Sequence, residues 1–133
     1  MIYLFLDIDP SVKRRPRFRR AGQNIATYSD PKDVAFKRAV QLMAKTQIDY
    51  PLEGPLRCEI VFFIKRPKTV KAKYPTGQRT GDVDNHAKAV LDALNPGKGF
   101  SGAYGDDSQI ISLVASKYYR DTSGIEVKLY SLN

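Results

Sequence analysis

Prolines and glycines divide this chain into short apolar segments, and the order of those segments is the feature that most limits its fold. Residues 2–9 are rich in aromatic and branched side chains and end at Pro10, a pattern typical of a strand. Residues 10–30 have the composition of a long loop or hairpin. The Ser-Asp-Pro run at 29–31 is a helix start signal, and an approximately helical apolar period after it predicts a helix to about Ile48.

The second half of the chain contains one more helix and three more strands. Residues 56–65 predict a strand, and the basic, proline-containing residues 66–81 predict a loop. Residues 82–94 predict an amphipathic helix, because apolar residues recur at positions i, i+3, i+4 and i+7. Residues 109–119 and 124–131 predict two strands joined as a hairpin.

The resulting order is strand, helix, strand, helix, strand, strand. It predicts an α+β protein whose elements follow an α/β-type order, with a mixed sheet and two main helices. A length of 133 residues suits a single domain spanning 1–133. Residues 97–108 contain four glycines, so we expect a flexible loop there.

Cysteine and histidine are too scarce to build a zinc site. The chain has one cysteine, Cys58, and one histidine, His86, which excludes an internal disulfide and a cysteine-built metal centre. We expect Cys58, in the middle of a predicted strand, to be a core residue in a reducing cytosol. Any bound metal must be held mainly by oxygen atoms, which favours Mg²⁺ or Mn²⁺.

The charge balance indicates a polyanionic partner. The formal net charge is +8 and the pI about 9.6, while 42% of residues are hydrophobic, so the chain combines a core with a basic surface. Nucleic acid is the first candidate partner for such a domain. The amino-terminal apolar run lacks a basic start and ends too early for a signal peptide, and no run is long enough to span a bilayer. We therefore expect a cytoplasmic protein with no membrane partner.

Two basic segments are candidates for phosphate contact. Six of the eight residues from Lys13 to Arg20 are basic, and a second basic stretch covers 65–79. The alternative is that these cations form a solvated surface. Phe18, amid the arginines, is expected either to stack on an unpaired base or to anchor its loop against the core. The predicted DNA-binding residues besides Phe18 are Lys13, Arg14, Arg15, Arg17, Arg19, Arg20, Lys65, Arg66, Lys68 and Arg79.

Acidic residues are concentrated instead between Asp82 and Asp107, where five of the 14 acids lie. An Asp-x-Asp pair precedes the second helix, and an Asp-Asp pair lies where the glycine-rich loop enters a strand. Carboxylates that converge on Mg²⁺ provide the chemistry of phosphodiester hydrolysis. The alternatives are a helix cap for Asp82 or Asp84, and an ordinary polar turn for Asp106 and Asp107.

Two further residues in this region have both a structural and a functional interpretation. Lys88 lies one helical turn after Asp84, so it forms a salt bridge to Asp84 or Asp92, or it stabilises charge on a scissile phosphate. His86 is a base or a metal ligand, or else an ordinary surface residue.

These motifs resemble those of the RusA-type Holliday junction resolvases, a family of small endodeoxyribonucleases. The resemblance rests on Gly-Asp-Val-Asp-Asn at 81–85 followed by Lys88, on Asp-Ala-Leu at 92–94, and on Asp-Asp-x-Gln-Ile at 106–110. Lys-x-Arg-Pro-Arg-Phe at 13–18 and Tyr-Ser-Asp-Pro at 28–31 add to it. Together these motifs cover most of the chain.

The resemblance implies a Mg²⁺-dependent homodimer that binds four-way DNA junctions and nicks two opposed strands symmetrically. It implies catalytic carboxylates at Asp82, Asp84 and Asp107, which also bind the metal, and an essential lysine at Lys88. The glycine-rich stretch before Asp106 is longer than the family pattern, which leaves the contacts of that loop undefined.

The residues themselves indicate only a metal-dependent phosphoryl-transfer enzyme acting on nucleic acid. A nucleotidyltransferase is a second hypothesis, but no Gly-Ser signature precedes the acids and the chain has little room for a nucleotide-binding lobe. A third is a nucleic-acid-binding module whose acids serve only as caps and turns. Only the resemblance narrows these hypotheses to junction resolution.

Overall fold

The computed structural model describes residues 1–10, 17–22, 24–28 and 30–133. Within these ranges, the predicted α+β class is confirmed: two helices pack with a four-stranded mixed sheet, and a two-stranded hairpin lies apart from it. The elements are β1 (Ile2–Leu6), β2 (Arg17–Ala21), β3 (Asn24–Tyr28), α1 (Pro31–Lys45), β4 (Leu56–Lys65), α2 (Val83–Ala93), β5 (Ile110–Arg120) and β6 (Gly124–Ser131).

The order of strands in the main sheet is β1-β6-β4-β5. β6 pairs antiparallel with both β1 and β4, whereas β4 and β5 are parallel. The predicted hairpin of the last two strands is therefore wrong, because β4 lies between them. Residues 121–123 cross over β4 instead, spanning the roughly 10 Å between next-nearest strands.

The central place of β4 has a physical cause. Alternate residues of this strand are buried, namely Leu56, Cys58, Ile60 and Phe62. A strand so apolar is best placed with neighbours on both edges, where its backbone groups are also paired. β5 takes the edge position, and its exposed Ile111 and Val114 show how little of it the core covers.

Both helices begin where the sequence predicts. Asp30 caps α1 by accepting a hydrogen bond from the Lys32 backbone N–H at 2.8 Å. The helix ends at Lys45 rather than near Ile48, and Thr46 is its C-cap residue. The predicted apolar stripe of α2 contributes Ala87, Val90 and Leu94 to the core and half-buries Leu91. α1 and α2 thus cover one face of the sheet.

The glycine-rich segment is packed, which corrects the expectation of a flexible loop at 97–108. Ala103 and Tyr104 are fully buried, and the Tyr104 hydroxyl donates to the Leu91 carbonyl at 2.7 Å. Gly102 has a φ of +89°, and a Cβ there would lie 2.5 Å from the Tyr104 carbonyl oxygen. The glycines allow a close approach of backbone to backbone here, because they carry no side chain.

Cys58 is buried as predicted, and burial raises the pKa of its thiol from 9.0 to about 12. We expect no reaction of the folded protein with a thiol reagent at pH 8, but full reaction after unfolding. Because the pKa is higher in the folded state, this group's contribution to stability is complete below pH 9 and is lost as the pH rises to about 12. Replacing Cys58 by Ala should therefore reduce the alkaline fall in unfolding free energy, measured by urea titration at pH 8 and pH 11. Rapid labelling of the folded protein at pH 8 would contradict this account.

Candidate active site

A cleft of about 340 Å³ lies between α2 and the start of β5. Its floor is apolar and includes Leu91 and Leu113. Its polar side chains come from two segments: α2 contributes Asp84, Lys88 and Asp92, and the turn before β5 contributes Asp107. The fold therefore brings two of the three predicted catalytic carboxylates, and the predicted lysine, to one surface.

The carboxylate of Asp82 is not used as a helix cap. Asp82 occupies the capping position of α2 with extended backbone angles, φ −84° and ψ 138°, yet its side chain makes no capping hydrogen bond. Asp84, in the first turn, accepts a hydrogen bond from the Asn85 backbone N–H at 3.0 Å. Both carboxylates are exposed. The capping explanation for Asp82 thus has no support in its contacts.

The three predicted metal ligands do not form a closed cluster. Asp82 is absent from the residues that line the cleft, whereas Asp84 and Asp107 both line it. Across residues 1–10, 17–22, 24–28 and 30–133, no group of three histidine, cysteine or acidic side chains is close enough to hold a metal ion. The chemistry of the donors, carboxylate oxygens that are exposed in Asp82 and Asp84 and half-buried in Asp107, nevertheless fits a hard cation such as Mg²⁺.

The two neighbouring acids of the Asp-Asp pair have different environments. Asp106 caps a short 3₁₀ turn by accepting from the Ser108 backbone N–H at 3.0 Å, and its hydrogen bonds with Ser108 lower the pKa of Asp106. Asp107 instead contacts Asn95: its Oδ2 accepts from Nδ2 at 3.2 Å, and its backbone N–H donates to Oδ1 at 2.9 Å. The polar-turn explanation therefore fits Asp106, while Asp107 is held toward the cleft.

Sequence reasoning missed two residues that position this region. Asn95 lies just after the predicted helix at 82–94 and has no predicted role, yet its side chain makes two hydrogen bonds with Asp107. Gln109 was noted only as a motif residue; its side-chain amide donates to the carbonyls of Leu52 and Gly54 at 3.0 and 2.9 Å. An amide two residues after an acidic pair was the available signal, but the partners are distant in sequence.

Lys88 is exposed and lines the cleft. In the described part of the chain, no salt bridge joins it to Asp84 or Asp92; the ion pairs found there are Arg57–Glu59 and Lys128–Glu126. The helical spacing that allows a salt bridge has therefore not produced one. Its ammonium group remains available to an anion that enters the cleft.

His86 is only 3% exposed, so its interpretation as a surface residue is wrong. Its ring lies 5.2 Å from the ring of Phe62, and its Nε2 is 2.6 Å from the Thr80 carbonyl oxygen. A carbonyl oxygen can only accept, so Nε2 carries the hydrogen. His86 does not line the cleft, and its position gives no support to a role as base or ligand there.

Two of the predicted DNA-binding cations share a second groove. Lys65 and Arg79 line a depression of about 420 Å³ together with Thr80 and Gly81, the residues directly before Asp82. The groove therefore places two basic side chains next to the turn that precedes Asp82, the first of the candidate catalytic carboxylates.

The other predicted cations have varied positions. Arg66 stacks on the ring of Tyr119 at 4.5 Å and donates to the carbonyl of Ala72, so part of its donor capacity is used within the protein. Lys68 is exposed in the loop after β4. Arg17, Phe18, Arg19 and Arg20 belong to β2. Lys13, Arg14 and Arg15 lie outside the described residues.

Residues 7–130 match the family described as Endodeoxyribonuclease RusA. A curated relative from Bacillus subtilis (strain 168), described as uncharacterized protein YqaN, is 29% identical over 132 residues. That alignment covers 91% of this chain and 89% of the relative. Neither described helix has the length and apolar composition needed to cross a bilayer.

Proposed function

Because this chain belongs to the RusA endodeoxyribonuclease family, we propose that it resolves four-way DNA junctions by paired, symmetric, Mg²⁺-dependent nicks in opposed strands. The observation that carries the proposal is the cleft between α2 and β5. There Asp84 and Lys88, one turn apart on α2, line the same cleft as Asp107 from the segment before β5. Lys88 makes no salt bridge with the described residues. Carboxylates beside a cation are the groups that metal-assisted phosphodiester hydrolysis requires.

Asp82, Asp84 and Asp107 are the proposed ligands of Mg²⁺, for which Mn²⁺ is an expected substitute. A bound metal would supply an activated water and would stabilise charge on the scissile phosphate. Asn95 keeps the Asp107 carboxylate directed at the cleft through two hydrogen bonds. Lys88 places a positive charge where the phosphate gains negative charge.

DNA binding is proposed to extend from the cleft along the basic surface. Lys65 and Arg79, in the groove before Asp82, are placed to contact phosphates of an arm that passes the cleft. Further phosphate contacts are proposed for Lys68, for the arginines of β2 and for the basic residues that precede them. Phe18 is proposed to stack on a base that is unpaired at the junction centre.

A homodimer would match the symmetry of the substrate. A four-way junction offers two equivalent cleavage points, and a two-fold dimer offers two equivalent sites. The position of β5 at the edge of the main sheet supports this proposal, because Ile111, Leu113 and Val114 of this strand are 70%, 44% and 52% exposed and Leu113 lines the cleft. An edge strand presents backbone N–H and C=O groups that can pair with a strand of another chain. We propose that residues 1–133 act as one nuclease domain, associated with DNA in the cytoplasm.

The test is a strand-resolved cleavage assay on a synthetic four-way junction and on a linear duplex of the same sequence. With Mg²⁺ we expect paired nicks in opposed arms of the junction, with the duplex spared. With EDTA we expect binding without cleavage. Binding without a cut in either Mg²⁺ or Mn²⁺ would reject the proposal and leave a binding module. Equal cutting of junction and duplex would reject the junction specificity alone.

A further inference from the structure

Lys117 is a lysine on the core-facing side of the sheet. It pairs in register with Phe62, a fully buried residue of β4, so its side chain lies on the same face as the helices. Lys117 is half-buried, and a partly buried ammonium is costly unless its donors are satisfied. The Nζ atom of Lys117 donates to the Gly81 carbonyl at 2.6 Å and to Thr80 Oγ1 at 3.1 Å.

Both acceptors belong to the turn that directly precedes Asp82. The Gly81 carbonyl is part of the peptide plane that joins Gly81 to Asp82, so its direction sets the direction in which Asp82 begins. Gly81 has a φ of +77° and a ψ of 164°, a conformation that glycine alone adopts at little cost. Because glycine also has many alternative conformations, an outside contact is needed to hold this one.

His86, on α2, makes further hydrogen bonds to the same turn. Its backbone N–H donates to the Asp82 carbonyl at 3.0 Å, and its Nε2 donates to the Thr80 carbonyl at 2.6 Å. The ring itself is fixed between the turn and Phe62. The peptide groups on both sides of Asp82 are therefore held, one by β5 and one by α2.

We infer that Lys117 is a positioning residue for Asp82, which it directs through its hydrogen bond to the Gly81 carbonyl. Lys117 is absent from the residues that line the cleft, so it acts through the turn and not on the substrate. The inference rests on the proposed function, in which Asp82 binds Mg²⁺. Lys117 lies outside the catalytic motifs, and the inference gives it a role in orienting a metal ligand.

A positioning role and a purely electrostatic effect of Lys117 predict opposite changes in Mg²⁺ affinity when the lysine is removed. A positive charge near a metal site repels Mg²⁺, so removing it should tighten metal binding if charge alone matters. Loss of the hydrogen bond instead leaves Asp82 poorly directed and should weaken metal binding. Removal of a residue that orients a metal ligand typically costs about 10-fold to 100-fold in affinity.

The experiment is titration of Mg²⁺ into the DNA-free protein, followed by calorimetry and by the amide resonances of residues 80–84 in NMR spectra. For Lys117→Met we expect an approximately 10-fold weaker Kd for Mg²⁺. We expect unchanged junction affinity in EDTA and a lower cleavage rate that excess Mg²⁺ partly restores. Lys128→Met is the matched control, because Lys128 lies on the opposite face of the sheet and loses the same charge.

Unchanged or tighter Mg²⁺ binding by Lys117→Met would overturn the inference. If thermal unfolding shows that the methionine variant is not folded, Lys117→Gln is judged by the same criterion, since a neutral amide is easier to bury than an unpaired charge. A wild-type protein that binds no Mg²⁺ and cuts no junction would reject the proposed function itself. A wild-type protein that does both, beside variants with wild-type Mg²⁺ affinity, would reject only the positioning role.

Discussion

Asp107→Asn is expected to lower the rate of junction cleavage more than about 100-fold, the upper range seen when even an outer partner of a metal ligand is lost. Asparagine keeps the size of the side chain, and its carbonyl oxygen can still accept from Asn95, but the negative charge that attracts Mg²⁺ is gone. Junction binding should survive or tighten, because a carboxylate next to the DNA phosphates is removed. Single-turnover cleavage and gel-shift binding in EDTA measure the two effects separately.

Asp106→Asn is the matched control for this prediction. It removes the same charge one residue away, from a side chain that caps a turn and does not line the cleft. We expect a small loss of stability and a cleavage rate close to that of the wild type. Cleavage at the wild-type rate by Asp107→Asn would reject its catalytic assignment. Equal losses in both variants would show that local charge, and not the position of Asp107, governs the reaction.

Lys88→Met should reduce turnover by roughly 100-fold, comparable to the removal of one group that stabilises charge in a transition state. The ammonium makes no salt bridge within the described part of the protein, so its loss should cost little stability. Junction affinity should fall only a few-fold, because one phosphate contact among many is lost. The cleavage rate at saturating enzyme, compared with the Kd in EDTA, separates turnover from binding.

Lys37→Met provides the control for Lys88. Lys37 is an exposed lysine on α1 that lines a different groove, so the variant has the same net charge without a change in the cleft. We expect it to cleave junctions at the wild-type rate. Wild-type turnover in Lys88→Met would show that Lys88 is an ordinary surface residue with no role in catalysis. An equal loss in both lysine variants would attribute the effect to net charge.

The local part of this structure was predictable from the sequence. The bounds of β4 and the start of α2 followed from runs of neighbouring residues, as did the apolar stripe of the helix. The periodicity of apolar residues depends on neighbouring positions in the sequence, and so do the bounds and the apolar faces of helices and strands.

The difference between Asp106 and Asp107 was not available in that way. Both are aspartates in a polar turn, and the resemblance alone singled out the second. The difference between their environments depends on Asn95, which lies 12 positions before Asp107. Asn95 reaches Asp107 only when α2 is packed against the sheet. The same holds for Lys117, whose acceptors are 36 and 37 positions earlier in the chain.

The sequence by itself determined the elements, the basic surface and the residue types of the catalytic motifs. Only the tertiary structure decided that β4 separates β5 from β6, that the glycine-rich loop packs against Leu91, and that α2 and β5 enclose one cleft. The physical reason is burial: β4 is apolar enough to need neighbours on both edges. That choice sends β5 to the edge of the sheet beside α2, where Asp84 and Asp107 line one cleft.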